Sequence, residues 1–372
     1  MRVLVIGGGI AGVAAGYYLA LEGHEVVLAE QETTLAFHST GRSAALIFEN
    51  YGAIANRPLT AGSLDFFRNP PALVEHPLIA PRGAMWVGRP EQLEHLRSTY
   101  EQSHVFSSQV DWLAPSEAAS KVPVLRTEYL GGAIWEPEPV DIDVASVHQA
   151  FVRGLRTRGG HILTKAPVTS LHRDDGRWLA KVADDVIGAD VVVNAAGAWA
   201  DAVADLAGAR RVGLQPLRRT AFMVPGSLDY ADWPLVCDID NEFYFRPDGS
   251  QLLCSLADET PSEPCDARPE ELDIALAIDR INTATTLGIR TVRSSWAGLR
   301  SFVTDRAMVL GFDPVVEGFF WLAGQGGTGI QTAPAAGRLT AAMIGTGEPS
   351  PDLIQLGLDV AALSPGRFEN PA

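Results

Sequence analysis

The chain has 372 residues, above the size at which one hydrophobic core keeps growing, so two closely joined domains are expected. Hydrophobic residues make up 47% and charged residues 20%, within the usual globular range, which argues against a disordered or fibrous chain. A formal net charge of −16 repels phosphate backbones and anionic lipid, and so argues against nucleic acid and membrane surfaces as partners.

The opening segment is apolar enough to resemble a signal peptide. Its core, however, is broken by Gly7, Gly8, Gly9 and Gly12, and Arg2 alone is a thin basic start. Arg2–Ile6 is nearly all aliphatic, as in a parallel strand buried on both faces. A glycine turn follows, then apolar residues at helical spacing over Ala11–Glu22, then a second aliphatic strand at Glu25–Ala29. Further along, the pattern predicts a strand at Met85–Gly88 and helices over Gln92–Tyr100 and Val144 to about Arg158, the last capped by Asp143. Ala189–Asn194 repeats the buried-strand signature. Short β-rich runs at Thr220–Val224, Phe243–Arg246 and Leu252–Ser255, parted by turns such as Pro247-Asp248-Gly249, predict a mixed, largely antiparallel sheet. A helix over about Pro269–Thr285 and a glycine loop at 324–329 leading into a helix over Ile330–Ile344 complete the chain. No stretch is long enough to span a bilayer. Cys237, Cys254 and Cys265 form no CxxC pair, so a reducing cytoplasm is the expected setting.

Gly7-Gly8-Gly9-Ile10-Ala11-Gly12 fits GxGxxG, a weak pattern made specific by its place between a strand and a helix, with Glu30 ending the next strand. Gly7 permits the tight turn, Gly9 lets a pyrophosphate approach, and Gly12 lets helix and strand pack closely. The amides opening the helix at Ile10 and Ala11 favour phosphate. Glu30, followed by Gln31, suits a ribose hydroxyl and repels a 2′-phosphate. A second turn, Ser39, Thr40, Arg42, Ser43, Ala44 and Ala45, is rich in hydroxyls. Ala196, Gly197 and Trp199 follow the third aliphatic strand and can wall the nucleotide pocket. The loop Gly326, Gly327, Thr328 and Gly329 before Ile330 offers amides to a ring that gains negative charge on reduction. Such turns spread over the chain fit FAD better than NAD, although each alone is an ordinary surface loop; Cys237, Cys254 and Cys265 lie away from these turns, so non-covalent FAD is expected.

At these residues the sequence resembles the D-amino-acid oxidase superfamily of FAD enzymes, which includes glycine oxidase and sarcosine oxidase. The shared runs are HSTGRSAA (38–45), HPL (76–78), VPVL (122–125), NAAGAW (194–199), LQP-x-RR (214–219), WAGLRSF (296–302) and QGG-x-GIQT (325–332). They are most like the bacterial D-arginine dehydrogenase subgroup. The resemblance implies an α/β fold: a Rossmann-type FAD-binding domain from 1–82, 143–210 and 298–372, interwoven with a substrate domain from 83–142 and 211–297. It further implies that Arg219, Arg300, Tyr51 and Tyr244 bind and orient a substrate carboxylate. Without it, both arginines would be read as surface ion-pair residues. Gly327 and Gln331 fall in the loop that closes over flavin and substrate, and Val168 matches a backbone contact near the adenine.

Three positions depart from the arginine-specific pattern. Ala84 replaces a glutamate, Leu46 a histidine and Phe48 a threonine. A cationic side chain would lose its counter-charge there, so a neutral, apolar D-amino acid is expected, oxidised to an imino acid and thence to a 2-oxo acid and ammonia. Relatives that oxidise N-methyl amino acids, glycine or 2-hydroxy acids share the carboxylate grip, and a non-catalytic FAD-binding subunit or assembly factor is the reading from another class. No motif names the electron acceptor, whether oxygen, a quinone or another carrier. No spaced ligand cluster suggests a metal.

Overall fold

The computed structural model describes residues 1–71, 74–104 and 109–368. Among them, the aliphatic runs form a six-stranded sheet in the order Val309–Phe312, Phe319–Ala323, Val191–Asn194, Arg2–Ile6, Glu25–Ala29 and His161–Leu163. All neighbours are parallel except the first pair. The first five are largely buried on both faces, which is why their sequences do not alternate, whereas the edge strand His161–Leu163 has both end residues exposed. Val3, Val5, Val26 and Leu28 face the helices Ile10–Leu21, Val144–Thr157 and Gly329–Gly345. Leu4, Ile6, Val27 and Val192 face an antiparallel meander of Val168–Asp174, Arg177–Val182 and Asp185–Ala189. The run Ala189–Asn194 is thereby divided at Asp190 between two sheets, its carboxylate accepting the Arg2 amide at 2.7 Å. Asp143 caps its helix as expected, accepting from the Ser146 amide at 2.9 Å.

The second large sheet is nine-stranded, and its strands alternate. Met85, Val87, Phe222, Val224, Phe245 and Leu252 point into a core closed by the helix Glu271–Ala284. On the opposite face Trp86, Tyr244 and Arg246 line a cleft, and Trp86 also packs against a cluster of Leu96, Ile134 and Ile239. Gln215–Pro225 is the spine: the whole of Ser294–Phe302 pairs with it, from Gln215 opposite Phe302 to Met223 opposite Ser294. That strand runs through the expected boundary at 298, because its ladder continues unbroken to Phe302. A small sheet of Leu46–Ile47, Val140–Ile142 and Ile79–Pro81 adjoins the two.

Candidate cofactor and substrate site

One long cleft runs between the domains, lined at one end by the glycine turn and at the other by the large sheet. Gly7 has φ +111° and an added Cβ would sit 2.4 Å from the Ala195 carbonyl oxygen, so only glycine fits. Gly9 opens the helix Ile10–Leu21 in an extended conformation. The Thr40 hydroxyl accepts from the Ile10 amide at 3.0 Å and keeps its own O–H for a ligand. Glu30 Oε2 accepts from the Gly8 amide at 2.7 Å and Oε1 from the Glu32 amide at 2.8 Å. Those bonds fix the carboxylate in the cleft wall, and each oxygen keeps a lone pair for a ribose hydroxyl. The buried His148 Nε2 lies 3.0 Å from the Gly8 carbonyl oxygen, and burial lowers its pKa, so a neutral imidazole donates to the turn. Among the cofactor-side residues named from sequence, Gln31, Ala11, Val168, Ala196, Gly197 and Trp199 line the same cleft. Gly12 does not: it packs behind the turn, where an added Cβ would lie 1.9 Å from the Gly7 carbonyl oxygen.

The turn 39–45 also lines the cleft, but two of its side chains strap the domains together. Ser39 Oγ donates to the Leu299 carbonyl at 2.6 Å. The Arg42 guanidinium donates to the carbonyls of Ala267 and Ala297 at 2.8 and 2.9 Å and pairs with Asp266, so its charge is spent on the protein. At the far end, Gly326 takes φ +54°, with its amide on the Ser301 carbonyl at 3.0 Å. Gly329 begins the helix Gly329–Gly345, and Gly326, Gly327, Gly329, Ile330 and Gln331 line the cleft. Thr328 does not. Its hydroxyl donates back to the Gln325 carbonyl at 2.9 Å, shaping the loop from behind.

A helix N-terminus at each end, a glycine cradle that a Cβ would fill and a fixed acid suit a long dinucleotide. The donor set fits FAD: amides and hydroxyls for the phosphates, Glu30 for the ribose, and the glycine loop for the ring.

Arg219 and Arg300 stand on neighbouring strands, Arg219 opposite Gly298 and Arg300 opposite Leu217, and both reach the cleft. Arg300 donates to the Tyr51 hydroxyl at 3.2 Å. Arg219 Nε donates to the Asp258 carbonyl at 2.7 Å, and its terminal nitrogen lies 3.4 Å from Glu259, which Arg306 holds at 2.8 Å. Burial and the neighbouring charge of Arg300 lower the Arg219 pKa. Burial works in the same direction on Arg300, but Tyr51, Tyr244 and Glu259 outweigh it and raise its pKa. Two guanidiniums that repel each other in a shielded wall create a site that a carboxylate neutralises. Tyr244 shares this cleft, as does Gly327, whose added Cβ would lie 2.9 Å from the Tyr51 hydroxyl.

Leu46 and Phe48 line the substrate end. The Phe48 ring stacks between Tyr51, at 6.3 Å and 6°, and Trp86, at 5.7 Å and 14°. Gln331 fastens this wall: Oε1 accepts from the Phe48 amide at 3.1 Å, and Nε2 donates to the Phe48 carbonyl at 3.3 Å and to Thr60 at 3.0 Å. Replacing Gln331 with Ala leaves both Phe48 backbone groups buried without partners. At about 1–3 kcal/mol per group, a lower melting temperature and a roughly ten-fold higher substrate KM are expected. Unchanged values in thermal denaturation and steady-state kinetics would contradict that role.

Ala84 does not line the cleft. It is buried on the same strand face as Trp86, whose larger ring reaches the cavity instead. Trp86 is in turn held by its Nε1 on the buried Glu136 at 3.1 Å. Arg246 also faces the cavity and adds a charge beside the apolar Leu46 and Phe48. Trp86, Leu235, Cys237 and Arg246 were missed from sequence. The signal was the alternation of the sheet, since Arg246 follows Tyr244 by two and Ala221 follows Arg219 by two. Burial pushes the Cys237 thiol well above its usual range, which keeps it neutral. Among the described residues, no group of three His, Cys, Asp or Glu could hold a metal, and no helix is long and apolar enough to cross a membrane.

The arrangement is that of a two-domain flavin-binding oxidoreductase with an anion clamp at the ring end of its cleft. Residues 2–343 match the FAD dependent oxidoreductase (DAO) family, and the chain belongs to it. Glycine oxidase of Geobacillus kaustophilus is 25% identical over 372 residues, covering 96% of each chain. A mouse FAD-dependent oxidoreductase domain-containing protein 1 is 26% identical, covering 91% of this chain and 80% of that one. Human mitochondrial sarcosine dehydrogenase is 25% identical over 95% of this chain but only 40% of its own length. The fold matches L-proline dehydrogenase from P. horikoshii with a TM-score of 0.85 and 21% identity, over 99% of this chain and 97% of that one. Like its family, the chain is an FAD flavoprotein.

Proposed function

We propose that the chain oxidises the CH–NH2 bond of a D-amino acid with a non-cationic side chain, giving an imino acid that water hydrolyses to a 2-oxo acid and ammonia. The Arg219–Arg300–Tyr51 constellation carries the reading: a paired, shielded clamp in the wall of the cofactor cleft suits an α-carboxylate. Clamping the acid also orients the neighbouring C–H and amine, and such positioning contributes on the order of 7–11 kcal/mol in favourable cases. FAD, when bound, would accept the two electrons as a hydride. Tyr244 and the Phe48–Trp86 wall shape the space and exclude water. His38, the histidine among the cleft-lining residues, is tied to Glu32 at 2.9 Å and packed on Trp199, so it is no free base, and a substrate amine that binds neutral needs none. Arg246 in the lining disfavours arginine or lysine as substrate, and similarity to glycine oxidase over nearly the whole chain supports an amine donor.

Product analysis after incubation with D-, L- and N-methyl amino acids and 2-hydroxy acids tests this. Stoichiometric ammonia and 2-oxo acid from D-amino acids is expected. Methylamine or formaldehyde from N-methyl substrates, turnover of hydroxy acids alone, or a clear preference for D-arginine contradicts it.

A further inference from the structure

We propose that Arg246 is the specificity residue of this site and that it selects a second carboxylate, so that the preferred ligand is a short dicarboxylic amino acid such as aspartate or glutamate. The inference deepens the oxidation proposed above and rests on the same clamp. Arg246 lies on Tyr244–Asp248 two residues beyond Tyr244, so both side chains leave the same sheet face about 7 Å apart along the strand. Both line the cleft that holds Arg219 and Arg300.

Arg246 shares its carboxylate partner with a second arginine. Asp141 is shared by two guanidiniums: Arg82 Nε holds Oδ2 at 2.7 Å, whereas Arg246 reaches Oδ1 only at 3.4 Å. Arg82 is otherwise satisfied by the carbonyls of Ala231 and Trp233 at 2.8 and 2.9 Å. Arg246 donates a hydrogen bond to the Pro247 carbonyl at 3.1 Å, whereas its Nε and Asp141 Oδ1 are buried without hydrogen-bond partners. Within this trio two guanidiniums meet one carboxylate, and Arg246 is the member that faces the cavity. Across the ladder Leu235 and then Ala84 supply no counter-charge, and the next rung holds Glu136, whose carboxylate accepts from Trp86 at 3.1 Å and Asn50 at 2.8 Å. A shielded, partly unsatisfied guanidinium binds a carboxylate through charge-assisted hydrogen bonds. The clamp takes the α-carboxylate and the three-methylene stem of Arg246 brings its head towards a side-chain carboxylate one rung away.

The test reads binding, so it is independent of which bond is oxidised. The purified FAD-loaded protein is titrated calorimetrically with length-matched pairs, butyrate against succinate and valerate against glutarate. At least a roughly ten-fold tighter Kd for the dicarboxylate is expected, the lower end of what a hydrogen bond to a charged group contributes. In R246Q the advantage falls to about unity, and in R246K, which keeps the charge and guards against a folding defect in R246Q, most of it persists. Equal affinity within a pair in the wild-type protein, or an advantage that survives R246Q, overturns the assignment. If dicarboxylates bind as expected but no amino acid is oxidised, the oxidation reading fails and the role of Arg246 stands.

Discussion

Replacing Arg300 with methionine is expected to lower kcat/KM by about 30- to 300-fold while the protein stays yellow. Arg300 leaves the strand Ser294–Phe302 beside Arg219, donates to Tyr51 and faces the cleft. Truncating one member of a desolvated charge pair costs about 2–5 kcal/mol, and each 1.36 kcal/mol is about ten-fold in rate. The lower part of that range is the better guide, because loss of Arg300 also relieves the charge that lowers the Arg219 pKa, leaving a single cation that still attracts the acid. R300K should fall between, since an ammonium keeps the charge but not the planar fork. Steady-state kinetics with the visible spectrum as a control would show it. Activity within about three-fold of wild type in R300M would remove Arg300 from substrate binding.

The second large effect is expected at Gly12, on stability and cofactor retention. An added Cβ at 1.9 Å from the Gly7 oxygen and 3.4 Å from Val5 has no rotamer to relieve it, because the obstacle is backbone. The helix Ile10–Leu21 must then lift from the strand that carries the phosphate turn. Gly12→Val should lose FAD on desalting and melt at lower temperature, beyond the about 1–3 kcal/mol typical of overpacking. Gly188→Ala is the control, for its added Cβ would meet nothing nearer than 3.8 Å. A Gly12→Val protein that keeps full FAD occupancy would contradict the close-packing argument.

The dinucleotide half of the molecule was legible because its signals are local. Glycines at 7, 9 and 12, two aliphatic strands and Glu30 sit within one βαβ unit, and the structure assembles them in that unit. The helix expected over about Pro269–Thr285 is found at Glu271–Ala284 for the same reason. The meander from Val168 to Ala189 was not read, since half-exposed strands with charged residues give no aliphatic run, and the one run at its end belongs partly to another sheet.

At the substrate end the arginines were legible only through family resemblance, because Arg219 and Arg300 lie far apart in the chain and meet through a β ladder. Ala84 came from the same resemblance, yet a small side chain behind Trp86 does not reach the cavity. Arg246 carried a readable sign, its two-residue spacing from Tyr244, but its meaning depends on how Asp141 divides itself between two arginines. Such a balance of charge is a tertiary property.

The most direct measurement is anaerobic addition of D-amino acids to the oxidised protein, followed by the visible absorbance. Bleaching of the flavin band by an amino acid, and its near absence in R300M at the same concentration, is the predicted result. An absorbance that no amino acid changes would contradict the claim that this clamp presents an amine-bearing acid to the cofactor.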